Sequence, residues 1–153
     1  YPHARRFQIT AFEAETKYNP TYRGQPVTLI NQAVWIEDTV IPWGRKFVQG
    51  GDASRLPAAH TRSAVDIAAF LHQHATRADY VVVKLDIEGA EYHVVPHLIA
   101  QGVTSLIDEL FLEFHTEINT CCRPPHDKGR HRPDGLRLLQ MLRDAGVYAH
   151  EYC

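Results

Sequence analysis

The chain has 153 residues, 44% of them hydrophobic and 22% charged, which suits a single globular domain with a real core and argues against disorder. A formal net charge of -2 gives no general attraction to nucleic acid or to an anionic membrane, although 10 histidines shift that balance in mild acid. No stretch approaches the about 20 apolar residues of a membrane-spanning helix, and no signal peptide is visible in a sequence that opens on Tyr1 rather than Met, as a processed or partial chain does.

In chain order, "RRFQITAFEAE" predicts a strand from about Phe7 to Phe12 that ends in acids. "YNPTYRG" reads as a short polar helix or turn, and "PVTLINQAVW" as a second strand near Val27 to Asn31. "DTVIPWGRKFVQGGDASRL" holds a Pro-Trp-Gly turn and a Gly-Gly pair, which read as a hairpin followed by a surface loop. "SAVDIAAFLHQHA" places Val65, Ala68, Ala69 and Leu71 or His72 at helical spacing. "ADYVVVKLD" is apolar on both faces, like a central parallel strand. "GAEYHVVPHLIAQG" reads as a helix ended by Gly102 and kinked or split at Pro96. "IDELFLEFH" is a further buried strand, and "TEINTCCRPPHDKGRHRP" a polar loop. "DGLRLLQMLRDAG" is a helix with Leu136, Leu139 and Leu142 near a spacing of three, closed by Gly146, and "VYAHEYC" is a last short strand.

Strands alternating with helices in the second half imply βαβ units and an α/β fold whose parallel sheet carries helices on its faces. In such folds ligands bind at the carboxyl ends of the strands. The expected ends are Glu13, Asn31, Asp86, and Glu113 with His115, so these polar groups should share one edge. Glu13 is placed to accept the hydroxyls of a ribose, with Glu15 as a competitor and a solvated acid or helix cap as the plain alternative.

In "KLDIEGAE", Gly89 allows a positive φ or a close backbone approach. Glu88 and Glu91 suit the start of a helix, where acids complement its dipole. Asp86 follows an apolar strand and should be partly buried. Lys84 shares its face by the period of two, so the two are expected to pair. By the same period Glu113 and His115 share a face. With Asp86 they are suited to holding a substrate hydroxyl, acting as a base, binding a hard metal ion, or only finishing a hydrogen-bonded sheet edge. No metal site is assigned from the sequence: His115, Cys121, Cys122, His126 and His131 include zinc ligand types, but their spacing is not that of a zinc site. Three cysteines, Cys121, Cys122 and Cys153, do not make a disulfide framework; one of the adjacent pair bridges to Cys153 in an oxidising compartment, or all three are ordinary thiols.

"VVVKLDIEGAE" followed by "ELFLEFH" resembles the FkbM-type S-adenosylmethionine-dependent methyltransferases. "SLIDELFLEFH…CC", with Ala11-Phe12-Glu13-Ala14 and Ala33-Val34-Trp35, is similar to a plant and green-algal branch of methyltransferase-like proteins, over about Phe7 to Tyr152. The resemblance implies a Rossmann-like class I methyltransferase sheet in one partial domain spanning 1–153. It implies S-adenosyl-L-methionine as cofactor, bound by Glu13 at the ribose, Gln32 and Ala33 near the adenine, and Asp86 by the methyl group. Asp86, Glu113 and His115 would be catalytic, and Glu88 and Glu91 would contact the acceptor, a glycan or small metabolite. It also implies a first strand and a Gly-rich loop that residues 1–153 do not contain, and a last hairpin strand beyond Cys153. The sheet is therefore expected to have a gap between the strands ending at Glu13 and Asp86, filled by an upstream segment or a protein partner. The alternative to an O-methyltransferase is a non-catalytic binding or assembly module on the same fold; a metal-dependent hydrolase or metal-assisted transferase is a third reading. The plant branch weakly favours the secretory pathway, in the Golgi lumen or outside the cell.

Overall fold

The computed structural model describes residues 1, 3–44, 47, 48, 52–115 and 130–152. Nine strands are defined among them: β1 (Ile9–Phe12), β2 (Val27–Ile30), β3 (Ala33–Trp35), β4 (Thr39–Gly44), β5 (Phe47–Val48), β6 (Thr61–Asp66), β7 (Val82–Leu85), β8 (Glu109–Leu112) and β9 (Tyr148–Glu151). Three α-helices join them: α1 (Ile67–His74), α2 (Glu91–Ala100) and α3 (Arg132–Asp144). The protein is a mixed α/β fold. β1 and β2 pair in parallel, and β7, β8 and β9 form a parallel sheet in that order. The second sheet in chain order runs β3-β6-β4-β5, with β3 parallel to β6 and the other pairs antiparallel.

β7, β8 and β9 are joined through α2 and α3, as parallel neighbours require. Their core holds Leu85, Leu110, Leu112 and Ala149 of the sheet against Leu71 of α1, Val94, Val95 and Leu98 of α2, and Leu138, Leu139 and Leu142 of α3. A smaller core gathers Ala33, Ile41, Trp43, Val48, Ala64 and Ala90. Ile87 packs against both, so the turn between β7 and α2 sits where the two cores meet.

Several expectations change. Ser63 to Asp66 belong to a strand, and the helix expected there begins at Ile67. Asp66 marks the boundary, because its carboxylate accepts the amides of Ala68 and Ala69 as an N-cap. Ala33–Trp35 is a strand in a different sheet from β2. α2 runs through Pro96 as one element and is not split there; Val94, Val95 and Leu98 on its buried side hold it against the core. The buried face of α3 is Gly135, Leu138, Leu139 and Leu142, the 3-4 pattern of a 3.6-residue turn, and Leu136 faces solvent at 42% exposure. α3 also starts before Asp134, whose carboxylate accepts the His131 N–H at 2.9 Å in a capping box. The hairpin of β4 and β5 and the 3-10 segment Thr16–Tyr22 are as expected.

Among the described residues β1 and β7 each keep one unpaired edge, and both strands line one cleft. β1 pairs with β2 and β7 with β8, each on one side. Near their amino ends the ring of Tyr1 meets Phe7 at 5.4 Å and Tyr80 at 6.4 Å. Beyond their carboxyl ends, Tyr22 lies within the fields of both Glu13 and Lys84. Between the two strands is a cleft of about 1450 Å³, lined along its length by residues 7–15 and 78–88. Among the described residues no helix is long and apolar enough to cross a membrane.

Candidate functional site

β7 delivers Lys84 and Asp86 to one side of the sheet, and the backbone of Glu113 extends the β8 ladder by donating to the Leu85 carbonyl at 3.0 Å. Lys84 Nζ donates to Asp86 Oδ2 at 2.7 Å, the pairing expected from strand period, and lies 3.9 Å from Glu113 Oε2. His115 Nε2 stands 3.7 Å from Glu113 Oε1 and 3.8 Å from Asp86 Oδ1. Glu88 Oε2 is 3.8 Å from the same nitrogen. One donor atom from each of Asp86, Glu113 and His115 falls within 4.8 Å of the others.

The turn that presents these groups is unusual in its backbone. Glu88 has φ 55 and Gly89 φ 99, two consecutive residues in the left-handed region. Gly89 takes that conformation without a steric cost, whereas Glu88 does so at a cost of about 1 kcal/mol or more. The turn brings Glu91 back beneath the site. Its Oε1 accepts the Ile87 N–H at 3.0 Å and the His115 Nδ1–H at 2.9 Å. Glu91 is 0% exposed, so the expectation that it contacts an acceptor is corrected: burial takes it out of reach, and it acts on the site through His115. Asp86 is more open than expected, with a third of its side chain exposed, because the chain turns away directly after β7.

The local charges shift two groups. The hydrogen bond to Glu91 holds the His115 imidazole above its usual pKa, against the effect of burial, and the charges of Glu88 and Asp86 add to it. Burial would lower the Lys84 pKa, but the hydrogen bond to Asp86 and the charges of Asp86 and Glu113 leave it raised.

Glu13 stands across the cleft from Asp86. Glu13, Gln32, Ala33, Asp86 and Glu88 all line it; Glu113 and His115 stand beside Asp86 rather than on the cleft wall. Asn31, at the end of β2, donates to the carbonyl of Glu13 at the end of β1, at 3.1 Å. Glu13 Oε1 accepts the Glu15 amide at 2.7 Å, which fixes the carboxylate at the strand end. Glu15, the competitor for a ligand role, is occupied elsewhere: its Oε1 accepts Trp43 Nε1 at 2.6 Å and Arg62 at 2.9 Å, tying the end of β1 to the second sheet. Of the residues weighed for zinc, His115 belongs to the Asp86 cluster and His131 caps α3, while Cys121, Cys122 and His126 lie outside the described residues, as does Cys153.

Sequence reasoning missed three parts of this arrangement. The buried role of Glu91 depends on the tight turn at Glu88 and Gly89. Lys84 reaches Glu113 on the adjacent strand as well as Asp86 on its own. Phe114, between Glu113 and His115, rests on Gly135 of α3. The glycine inside the pattern of α3 was the available signal for that last contact.

The chain is thus an α/β protein with a carboxylate and histidine cluster at the carboxyl edge of parallel strands, beside a deep cleft. Residues 46–153 match the model of the family described as a domain of unknown function, DUF7870. That match spans more than two-thirds of the chain, which belongs to this family. No curated protein and no solved structure matches it.

Proposed function

We propose that the protein is an S-adenosylmethionine-dependent O-methyltransferase of the FkbM type, on a Rossmann-like sheet whose order is β2, β1, a central strand, β7, β8, β9. The observation that carries this reading is the pair of acids Glu13 and Asp86, at the carboxyl ends of two strands whose free edges border one cleft of about 1450 Å³. A nucleoside cofactor in that cleft meets a carboxylate suited to a ribose diol at Glu13, and the walls at Gln32 and Ala33 on the adenine side. Among the described residues no glycine-rich strand-to-helix turn completes the cradle. The reading therefore includes a further strand and loop, from this polypeptide outside these residues or from a partner.

S-adenosylmethionine, when bound, supplies a methyl group on a sulfonium. The residues described here supply the acceptor side: Asp86, Glu113 and His115 orient a hydroxyl of a glycan or small metabolite and take up its proton. Glu88 adds an acceptor contact at the cleft, and Glu91 keeps the His115 ring in place.

The test is a calorimetric titration of S-adenosylhomocysteine into the protein extended to its natural start. Saturable binding, abolished by Glu13→Ala in a folded variant, is the expected result. A folded extended protein with no affinity for this ligand removes the enzymatic reading. It leaves the cleft as a docking slot for an extended chain in a non-catalytic assembly module, which the two unpaired strand edges also suit.

A further inference from the structure

We propose that Asp86, Glu113 and His115 bind a first-row divalent cation of the Mn²⁺ class, with Glu91 as the buried carboxylate that orients the histidine. The geometry comes first. His115 Nε2 lies 3.7 Å from Glu113 Oε1 and 3.8 Å from Asp86 Oδ1, too long for hydrogen bonds. Two donors on one ion at about 2.1 Å stand about 3–4 Å apart, so these spacings suit a shared cation. Glu88 Oε2, at 3.8 Å from the same nitrogen, is a fourth donor within reach.

Glu91 is an independent second observation. It is 0% exposed, and its Oε2 has no hydrogen-bond partner among the described residues. A carboxylate in such a place is costly, and the contacts that account for it are the 2.9 Å bond from His115 Nδ1 and the 3.0 Å bond from the Ile87 amide. The bond from His115 leaves its Nε2 facing three carboxylates, a donor set that a shared cation takes up in place of the Nε2 proton. A buried carboxylate behind the far nitrogen is the arrangement found behind metal-bound histidines, where it fixes the tautomer and raises ligand basicity.

Lys84 sharpens the site without filling it. Its Nζ takes Asp86 Oδ2 at 2.7 Å and lies nearest Glu113 through Oε2, at 3.9 Å, so Oδ1 and Oε1 remain turned to His115. One imidazole with two or three carboxylates combines a nitrogen donor suited to transition metals with oxygen donors suited to Mg²⁺ and Mn²⁺, which favours Mn²⁺ over either extreme. Among the described residues no other group of three His, Cys, Asp or Glu side chains converges in this way. The inference does not rest on methyl transfer.

The experiment is a titration of metal-stripped protein with MnCl₂ alone, followed by loss of the free-ion electron paramagnetic resonance signal. The expected result is one ion per chain, bound at least about 10-fold more weakly by His115→Gln and by Glu113→Gln. Glu91→Gln should weaken binding about 10- to 100-fold although its side chain does not touch the ion. If Glu91→Gln fails to fold, the partly exposed Glu113→Gln decides. Absence of binding at millimolar Mn²⁺, or several weak ions unaffected by His115→Gln and Glu113→Gln, overturns the proposal. No S-adenosyl compound is present, so a negative result here leaves the methyltransferase reading standing, and the reverse.

Discussion

The ring of Phe114 lies directly against the Cα of Gly135, so that a Cβ at that position overlaps the ring carbons Cγ, Cδ2 and Cε2. This contact locks the segment after β8, which carries Glu113 and His115, onto α3. In an exposed helix Gly→Ala is worth about 1 kcal/mol in favour of alanine. Here the sign reverses: Gly135→Ala forces the ring or the helix to move and should cost about 1–3 kcal/mol. Urea unfolding of the two proteins measures it, and a more stable variant would show that the contact does not constrain the fold.

Glu91→Ala should be among the most damaging single changes. It strips a fully buried carboxylate from the Ile87 amide and from His115, leaving both donors without their acceptor. The expected loss is about 3 kcal/mol or more, as for a broken buried pair. Denaturant unfolding in a chelating buffer isolates this from any effect of a bound cation.

Glu15 holds the end of β1 to the second sheet through Trp43 and Arg62. Burial would raise its pKa, but the Trp43 N–H, Lys17 and the Arg62 guanidinium hold it below the usual carboxylate range. Glu15→Ala leaves the Trp43 indole N–H unpaired and should destabilise by about 1–3 kcal/mol. Its effect on unfolding midpoint should exceed that of Asp108→Ala, whose carboxylate accepts one exposed amide, from Val81.

Asp66 sets an acid limit on stability. Burial works against its ionisation, but the His97 hydrogen bond and the amides of Ala68 and Ala69 outweigh it, and its pKa is lowered in the folded protein. A lowered folded pKa means that the stabilisation is fully present above the unfolded value of 3.8 and is lost as pH falls through the folded one. Asp66→Ala should cost about 1–2 kcal/mol at neutral pH through the lost cap. It should also flatten the fall of stability below pH 4, read from unfolding midpoints across an acid series.

The acid edge is legible in the sequence because strand period is local: Lys84 with Asp86, and Glu113 with His115, share faces by a spacing of two. The order of strands and helices in the second half, and with it the parallel sheet, followed from apolar runs bounded by Gly and Pro. The beginning of α1 was not legible, since Ser63 to Leu71 suits either period, and the choice fell to the pairing of β6 with β3 and β4. Leu136 was misplaced for a related reason: three leucines at a spacing of three drift off the face that a 3.6-residue turn buries.

What the sequence by itself determined is the α/β character, the sites where strands end in acids, and the glycine that lets the β7–α2 turn take a positive φ. Only the tertiary structure decided which acids serve which purpose. Glu13 and Glu15 are near neighbours in the chain, yet the strand end leaves Glu13 on the cleft and the second sheet claims Glu15 through Trp43 and Arg62. Glu88 and Glu91 are both acids of one turn, yet one lines the cleft and the other is buried behind His115. Periodicity reports the direction of a side chain from its own element, while burial and partnership depend on elements distant in the chain, and these are set only when the sheets and helices close around them.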